Sequence, residues 1–222
     1  MILAMDSATS ACSAAIWNAG GLIAHDYSPM NRGQAEALAP MIQGVLAEAG
    51  ISVGELEGLA VTVGPGAFTG VRIGLAMARG LAIASGVKLC GLGTMEVVAG
   101  GLDEAEREGK SVLVALKTKR ADIYVQGFGP DLDPISTPAA CLPEALADLV
   151  PPGPLLVAGD EGPLVTELLG EDGVECGLSS GPALPDAAVI ARLAARRIAG
   201  DGPLLAPEPI YLRPLDVTPP SS

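Results

Sequence analysis

Asp6, Ser7, Thr9 and Ser10 are the side chains of this sequence best suited to chemistry. A short apolar run, Ile2 to Met5, ends on the carboxylate, and the hydroxyls follow in what reads as a turn. A carboxylate beside hydroxyls and free turn amides could hold Mg²⁺ and phosphate oxygens. Equally, the hydroxyls could do no more than satisfy the backbone of the turn. A second stretch, residues 64–82, sets Gly64-Pro65-Gly66 ahead of a helical pattern. Free amides at the positive end of a helix suit an anion. The Gly-Lys-Ser/Thr of a Walker A loop is missing, however. The plainer alternative is packing, because Gly66, Gly70, Gly74, Ala78 and Ala82 recur every fourth residue and leave one helix face bare. Such a face admits another backbone closely. Other chemistry is thin. His25 is the single histidine, which leaves little scope for a Ser-His-Asp or Cys-His arrangement. Cys12, Cys90, Cys141 and Cys176 are scattered without a CxxC, so neither a disulfide framework nor a thiolate metal site is indicated.

The elements that would position these residues follow from periodicity and breakers. Strands are expected at 2–6, 11–17 and 22–27, an antiparallel meander. A helix from 33 to 49 turns Leu38, Met41, Ile42 and Val45 to one face and stops at Gly50, with Pro40 expected to kink it or mark its true start. A strand at 59–63 and a helix at 69–85, N-capped by Thr69, come next. A strand at 88–92 and a short helix from Thr94 to about Leu102 complete the first half. The charged stretch 103–109 reads as a solvated link, with lobes at 1–103 and 110–222. Beyond it a strand–turn–strand over 111–128 repeats the opening, which suggests an internally duplicated α/β fold. Helices are expected at 143–149, at 163–169, and from an Asp186 cap to Gly200. A strand is expected at 155–158, and the proline-rich tail reads as extended.

Composition sets outer limits. The chain has 222 residues, 49% of them hydrophobic but only 3% aromatic, so its core must be built from Ala, Leu, Val and Ile. A net charge of −13 repels phosphate backbones and argues against unaided nucleic-acid binding. Residues 7–24 carry no charge but are too rich in Ser, Thr, Asn and Gly to span a membrane. No signal peptide is apparent, and a cytoplasmic setting is expected.

Met5-Asp-Ser-Ala-Thr-Ser10, Gly64 to Ala76 and Pro209-Ile-Tyr-Leu-Arg213 together resemble the bacterial TsaB (YeaZ) family. The resemblance implies two lobes of the actin-like ATPase (ASKHA, ribonuclease H-like) class, with mixed sheets flanked by helices. It also implies an accessory role. TsaB-like proteins bind TsaD, a paralogue that transfers threonylcarbamoyl to N6 of adenosine 37 in tRNAs reading codons that begin with A; TsaE, an ATPase, joins them. The paralogue's His-Leu-Glu-Gly-His metal motif corresponds here to Thr94-Met95-Glu96-Val97-Val98, and neither a hydroxyl nor an isopropyl group replaces an imidazole. Most relatives carry a carboxylate where Lys117 opens the second hairpin turn, which weakens the case for metal-supported phosphate binding there. The expected partner surface comprises Leu38, Met41, Ile42, Val45, Val71, Gly74 and Ala78, serving TsaD or, in isolation, a homodimer. No cofactor is required, with ATP or ADP a candidate at or near that interface, and tRNA would be met only through the complex. Rival readings are an ASKHA ATPase or phosphotransferase using Asp6 and Thr9, and a metallopeptidase.

Overall fold

Strand β1 (Ile2–Asp6) sends Leu3 and Met5 to one side and Ile2 and Ala4 to the other, and all four are buried. A strand apolar on both faces needs a layer of helices on each. In this computed structural model, which describes residues 1–200 and 204–212, both layers are present. β1 pairs antiparallel with β2 (Ala11–Asn18), which pairs antiparallel with β3 (Gly21–Pro29). On its other side β1 runs parallel to β4 (Gly58–Gly64), and β4 to β5 (Lys88–Gly93), giving the order β3-β2-β1-β4-β5.

Helices α1 (Gln34–Ala49) and α2 (Phe68–Ser85) cover one face of this sheet. Leu38, Ile42 and Val45 of α1 and Val71, Leu75 and Ala78 of α2 join Leu3, Met5 and Val61 in one core. Pro40 lies inside α1, on its exposed side, where water can take up the hydrogen bond its ring forgoes. Thr69 is not the cap of α2; Ala67 holds that position, and Thr69 is an exposed second residue of the helix. Helix α3 (Thr94–Gly100) starts directly after β5, and the charged stretch beyond it forms a turn of helix, α4 (Glu104–Arg107), instead of a free link. Asp103 caps α4 by accepting from Ala105 N at 2.8 Å, and Glu106 accepts from Ser179 Oγ and Ser180 N.

The second sheet repeats the first. β6 (Ser111–Lys117) pairs antiparallel with β7 (Ile123–Phe128), which pairs antiparallel with β8 (Ala139–Cys141). β6 also runs parallel to β9 (Leu155–Ala158), and β9 to β10 (Cys176–Leu178), in the order β10-β9-β6-β7-β8. Read from the third strand of each lobe, the two orders are the same, so the duplication expected from the hairpin repeat holds in the topology. Helix α5 (Gly162–Glu171) packs Val165 and Leu169 on one face. The 143–149 segment forms two short 3₁₀ turns, not one helix; seven residues give too few hydrogen bonds to repay helix nucleation.

Two helices join the lobes. α3 packs Met95, Val98 and Ala99 against Val114, Leu116 and Phe128 of the second sheet, while Val97 faces the first. α6 (Ala187–Ala199), capped by Asp186, crosses back to the first sheet, where Ala187, Ile190, Ala191 and Ala194 meet Ile2, Ala4, Ala15 and Ala60. Of the proline-rich tail, residues 204–212 lie against the first lobe, with Ile210 N donating to Val63 O at 2.7 Å. Residues 213–222 fall outside the described part, as does Arg213 of the tail motif.

Candidate functional site

The bare face of α2 and the hydroxyl turn after β1 meet each other. A Cβ on Gly70 would lie 2.1 Å from Ser7 O, and one on Gly66 would lie 2.3 Å from Ala8 O. No side chain fits at such distances, so the glycine spacing serves an approach of the chain's own backbone. Ala67 N donates to Ala8 O at 2.7 Å, and Ser7 Oγ donates to Gly70 O at 2.9 Å. Ser7 is thereby buried and committed to packing. Asp6 is fully enclosed as well, with Thr62 Oγ1 donating to its Oδ1 and Ala8 N 3.2 Å from the same oxygen. Burial pushes its carboxyl up to about 7, against the lowering by those hydrogen bonds. Its Oδ2 has no partner among the described residues.

Thr9 and Ser10 behave differently. Both line a cleft of about 1190 Å³ between the lobes, and Asp6 and Ser7 do not. Its walls are the N-terminal turns of α1 and α2, the loop before α1 with Arg32, and the hairpin turn between β6 and β7 with Lys117, Lys119 and Arg120. Asp160 closes the floor, its Oδ1 accepting from Lys117 N at 2.8 Å, and desolvation raises its pKa. Of the four residues expected to form a phosphate turn, the structure thus brings two to a cavity and withdraws two into the core. Only the closure of the second lobe reveals what the basic hairpin faces.

The resemblance to actin-like ATPases implies a magnesium nucleotide in such a cleft. The residues present do not fit the metal part of that ligand. Asp6 points inward, Lys117 stands at the head of the hairpin turn, and no group of three His, Cys, Asp or Glu among the described residues could hold a metal ion. The 94–98 segment is closed too: Thr94 is 0% and Val98 1% exposed, and Val98 packs in the core joining α3 to the second sheet.

The seven residues expected at a partner surface lie inside this chain. Leu38, Met41, Ile42, Val45, Val71, Gly74 and Ala78 are all buried against its own first sheet. The reason is amphipathicity: the apolar stripe of each helix is spent on the sheet, and a partner can meet only the outer sides. Those outer sides carry Gln43, Gly44 and Ala47 on α1, and Ala76, Gly80, Ile83 and Ala84 on α2. Ile83 is 86% exposed, and a Cβ on Gly44 or Gly80 would meet nothing within 4 Å.

Two lobes of one topology, joined by crossing helices and enclosing a cleft, define an actin-like protein of the ASKHA type. The same fold is seen in component A of the (R)-2-hydroxyglutaryl-CoA dehydratase of Acidaminococcus fermentans, at 12% identity and a TM-score of 0.50 over 90% of this chain and 100% of that one, a likeness of fold alone. A family model described as "TsaD: tRNA N6-adenosine threonylcarbamoyltransferase" matches residues 28–166. The chain is 37% identical over 123 residues, 55% of its length and 52% of the relative's, to the Escherichia coli K12 "tRNA threonylcarbamoyladenosine biosynthesis protein TsaB". YeaZ from Pseudomonas aeruginosa superposes with a TM-score of 0.76 at 27% identity, over 95% of this chain and 99% of that one. The chain therefore belongs to the TsaD-related family, in its TsaB (YeaZ) branch. It spans about half the length of the curated TsaB relatives it matches.

Proposed function

We propose that this chain is a non-catalytic subunit in the formation of threonylcarbamoyladenosine in tRNA, acting by binding a TsaD-like transferase. The observation that carries the reading is the packing of the 94–98 segment. The resemblance implies metal-binding histidines at this segment of the transferase, whereas here Thr94 and Val98 are enclosed and Val98 packs in the core joining the lobes. Neither side chain offers a nitrogen ligand. Membership of the TsaB branch supports the role in tRNA modification. The docking surface is the outer side of α1 and α2, where small residues allow helices to approach closely and Ile83 supplies apolar area. On this reading a TsaE-like ATPase joins the complex, tRNA is contacted through the assembly, and the isolated chain pairs with itself through the same surface. The lobes at 1–103 and 110–222 remain our proposed division for the sheets, with α6 returning to the first.

The test is genetic and chemical. Depletion of the chain should remove threonylcarbamoyladenosine from digested tRNA, measured by mass spectrometry, and re-expression should restore it. Normal nucleoside levels after depletion would overturn the role. Retained turnover by the purified chain without a transferase would overturn its non-catalytic character.

A further inference from the structure

We propose that residues 204–212 form a strap that fixes the position of α2, and with it the outer side that a partner must meet. The segment includes Pro209, Ile210 and Tyr211 of the tail motif, which line neither the cleft nor the 94–98 segment. Arg72 and Arg79 lie about two turns apart on one flank of α2, and both reach for it. Arg79 donates from Nε to Pro207 O at 3.1 Å and from Nη2 to the same oxygen. Arg72 donates from Nε to Tyr211 Oη at 2.9 Å. Its guanidinium also stands 3.7 Å from the centre of the Phe68 ring and 5.7 Å from that of Tyr211, and the two rings are 5.4 Å apart. The strap thus runs antiparallel to the helix, from Arg79 back to its first residue. The sheet is shaped for it as well. Leu205 bridges Gly91 of β5, and Ile210 N donates to Val63 O of β4. A Cβ on Gly91 would lie 2.9 Å from Ala206 O, and one on Gly64 2.8 Å from Ile210 O, so both strands are bare where the strap crosses them.

α2 needs such a tie because its own sequence makes a poor helix. Gly70, Gly74 and Gly80 each cost about 1 kcal/mol against alanine. The N-cap, Ala67, offers no side-chain acceptor, and a helix without an acidic residue forms no ion pairs within itself. Its order must therefore come from tertiary contacts. The sheet holds one side of α2 and α1 another, while the outer side stays bare. The strap supplies contacts on the remaining flank, and at low entropic cost, because Pro207 and Pro209 have φ fixed before docking. An exposed cation–π contact contributes about 0.5–1 kcal/mol. Tyr211, which gives Arg72 both a ring and a hydroxyl, is thus the strap side chain whose removal should tell most.

The bearing of the strap on assembly rests on the proposed docking side, but its hold on α2 is read from the isolated full chain. Amide exchange followed by mass spectrometry compares the wild type with the double variant Tyr211→Ala, Arg79→Ala. Residues 71–80 should exchange about tenfold faster in the variant, while α1, β6 and β7 keep wild-type rates. Alanine is a slightly better helix former than arginine, so a purely local effect of Arg79→Ala would slow exchange there instead. Tyr211→Phe keeps the ring against Phe68 and Arg72 and should exchange more slowly than Tyr211→Ala. Unchanged exchange in α2, or a rise spread equally over both lobes, overturns the inference. Loss of a preset helix should also weaken binding of the double variant to a TsaD-like transferase about fivefold or more. Faster exchange in α2 with undiminished binding, beside a Gly80→Arg chain that no longer binds, overturns it as well, because the surface would then stand without the strap. Gly80→Arg binding like the wild type would instead remove the docking side, and the exchange rates alone would decide the strap.

Discussion

Burial lets Asp6 keep its proton to a higher pH in the folded chain than in the unfolded one. Its folded pKa of about 7 stands above the unfolded value near 3.8, so the native state retains a proton that the unfolded chain releases. Stability therefore falls as pH rises from about 4 to 7, and the loss is complete above that window. Three units correspond to an upper bound of about 4 kcal/mol. Asp6→Asn keeps an acceptor for Thr62 and removes the titration. The variant should gain on the wild type between pH 5 and pH 8 in urea unfolding, and parallel stability curves would refute the assignment. His25 works in the same direction by a different cause. Its Nε2 lies 2.8 Å from Asp186 Oδ1, and that bond chiefly raises its pKa above 6.5. The stabilisation is full below 6.5 and is lost as pH rises through the folded value. His25→Gln should therefore cost stability at pH 5.5 and little at pH 8.5. Because Asp186 also caps α6, the loss at low pH should appear as faster amide exchange in the first turn of that helix.

Glycines on the two sides of α2 make opposite predictions for the element. Gly70→Ala would set a methyl group 2.1 Å from Ser7 O, so β1–β2 and α2 must separate, a loss of about 3 kcal/mol or more. Gly80→Ala meets nothing and replaces a poor helix former, so the isolated chain should gain up to about 1 kcal/mol. Denaturant unfolding of the two variants separates them, and a loss of stability in both would contradict the surface placement of Gly80. The fourfold spacing of small residues was plain in the sequence, as was every long strand and the Asp186 cap. What the spacing served was hidden, because the approaching backbone, Ser7-Ala8, lies 60 residues earlier and periodicity carries no long-range contact. The edge strands β8 and β10, three residues each, are too short to show any period. Charge in 103–109 suggested a solvated link; it concealed a helical turn because Asp103 caps locally and Glu106 finds two serines more than 70 residues away.

At the scale of the whole molecule, the apolar faces of α1 and α2 are spent on the first sheet, so the docking surface we propose is their outer side. The docking role is what the resemblance to TsaB implied, and sequence amphipathicity placed it on residues that the structure buries against the chain's own sheet, since an apolar stripe marks what must be buried and not by whom. The distinction can be measured. Val45 is 1% exposed, and a bulky charged residue there would unfold the first lobe and abolish every interaction indirectly. Gly74 fails as a probe for a similar reason, its Cβ position lying 3.0 Å from Ser7 Oγ and 3.3 Å from Val61 Cγ2. Gly80→Arg, on the open side, should leave the unfolding midpoint within about 0.5 kcal/mol of the wild type, as for other surface substitutions. The same variant should lose co-purification with a TsaD-like transferase and run as a monomer in sedimentation velocity. A long charged side chain prevents the close helix approach that small residues permit, while Lys117→Glu in the distant cleft should leave both assemblies intact. If the Gly80→Arg chain still assembled with unchanged affinity, the outer face of α2 would not be the docking surface.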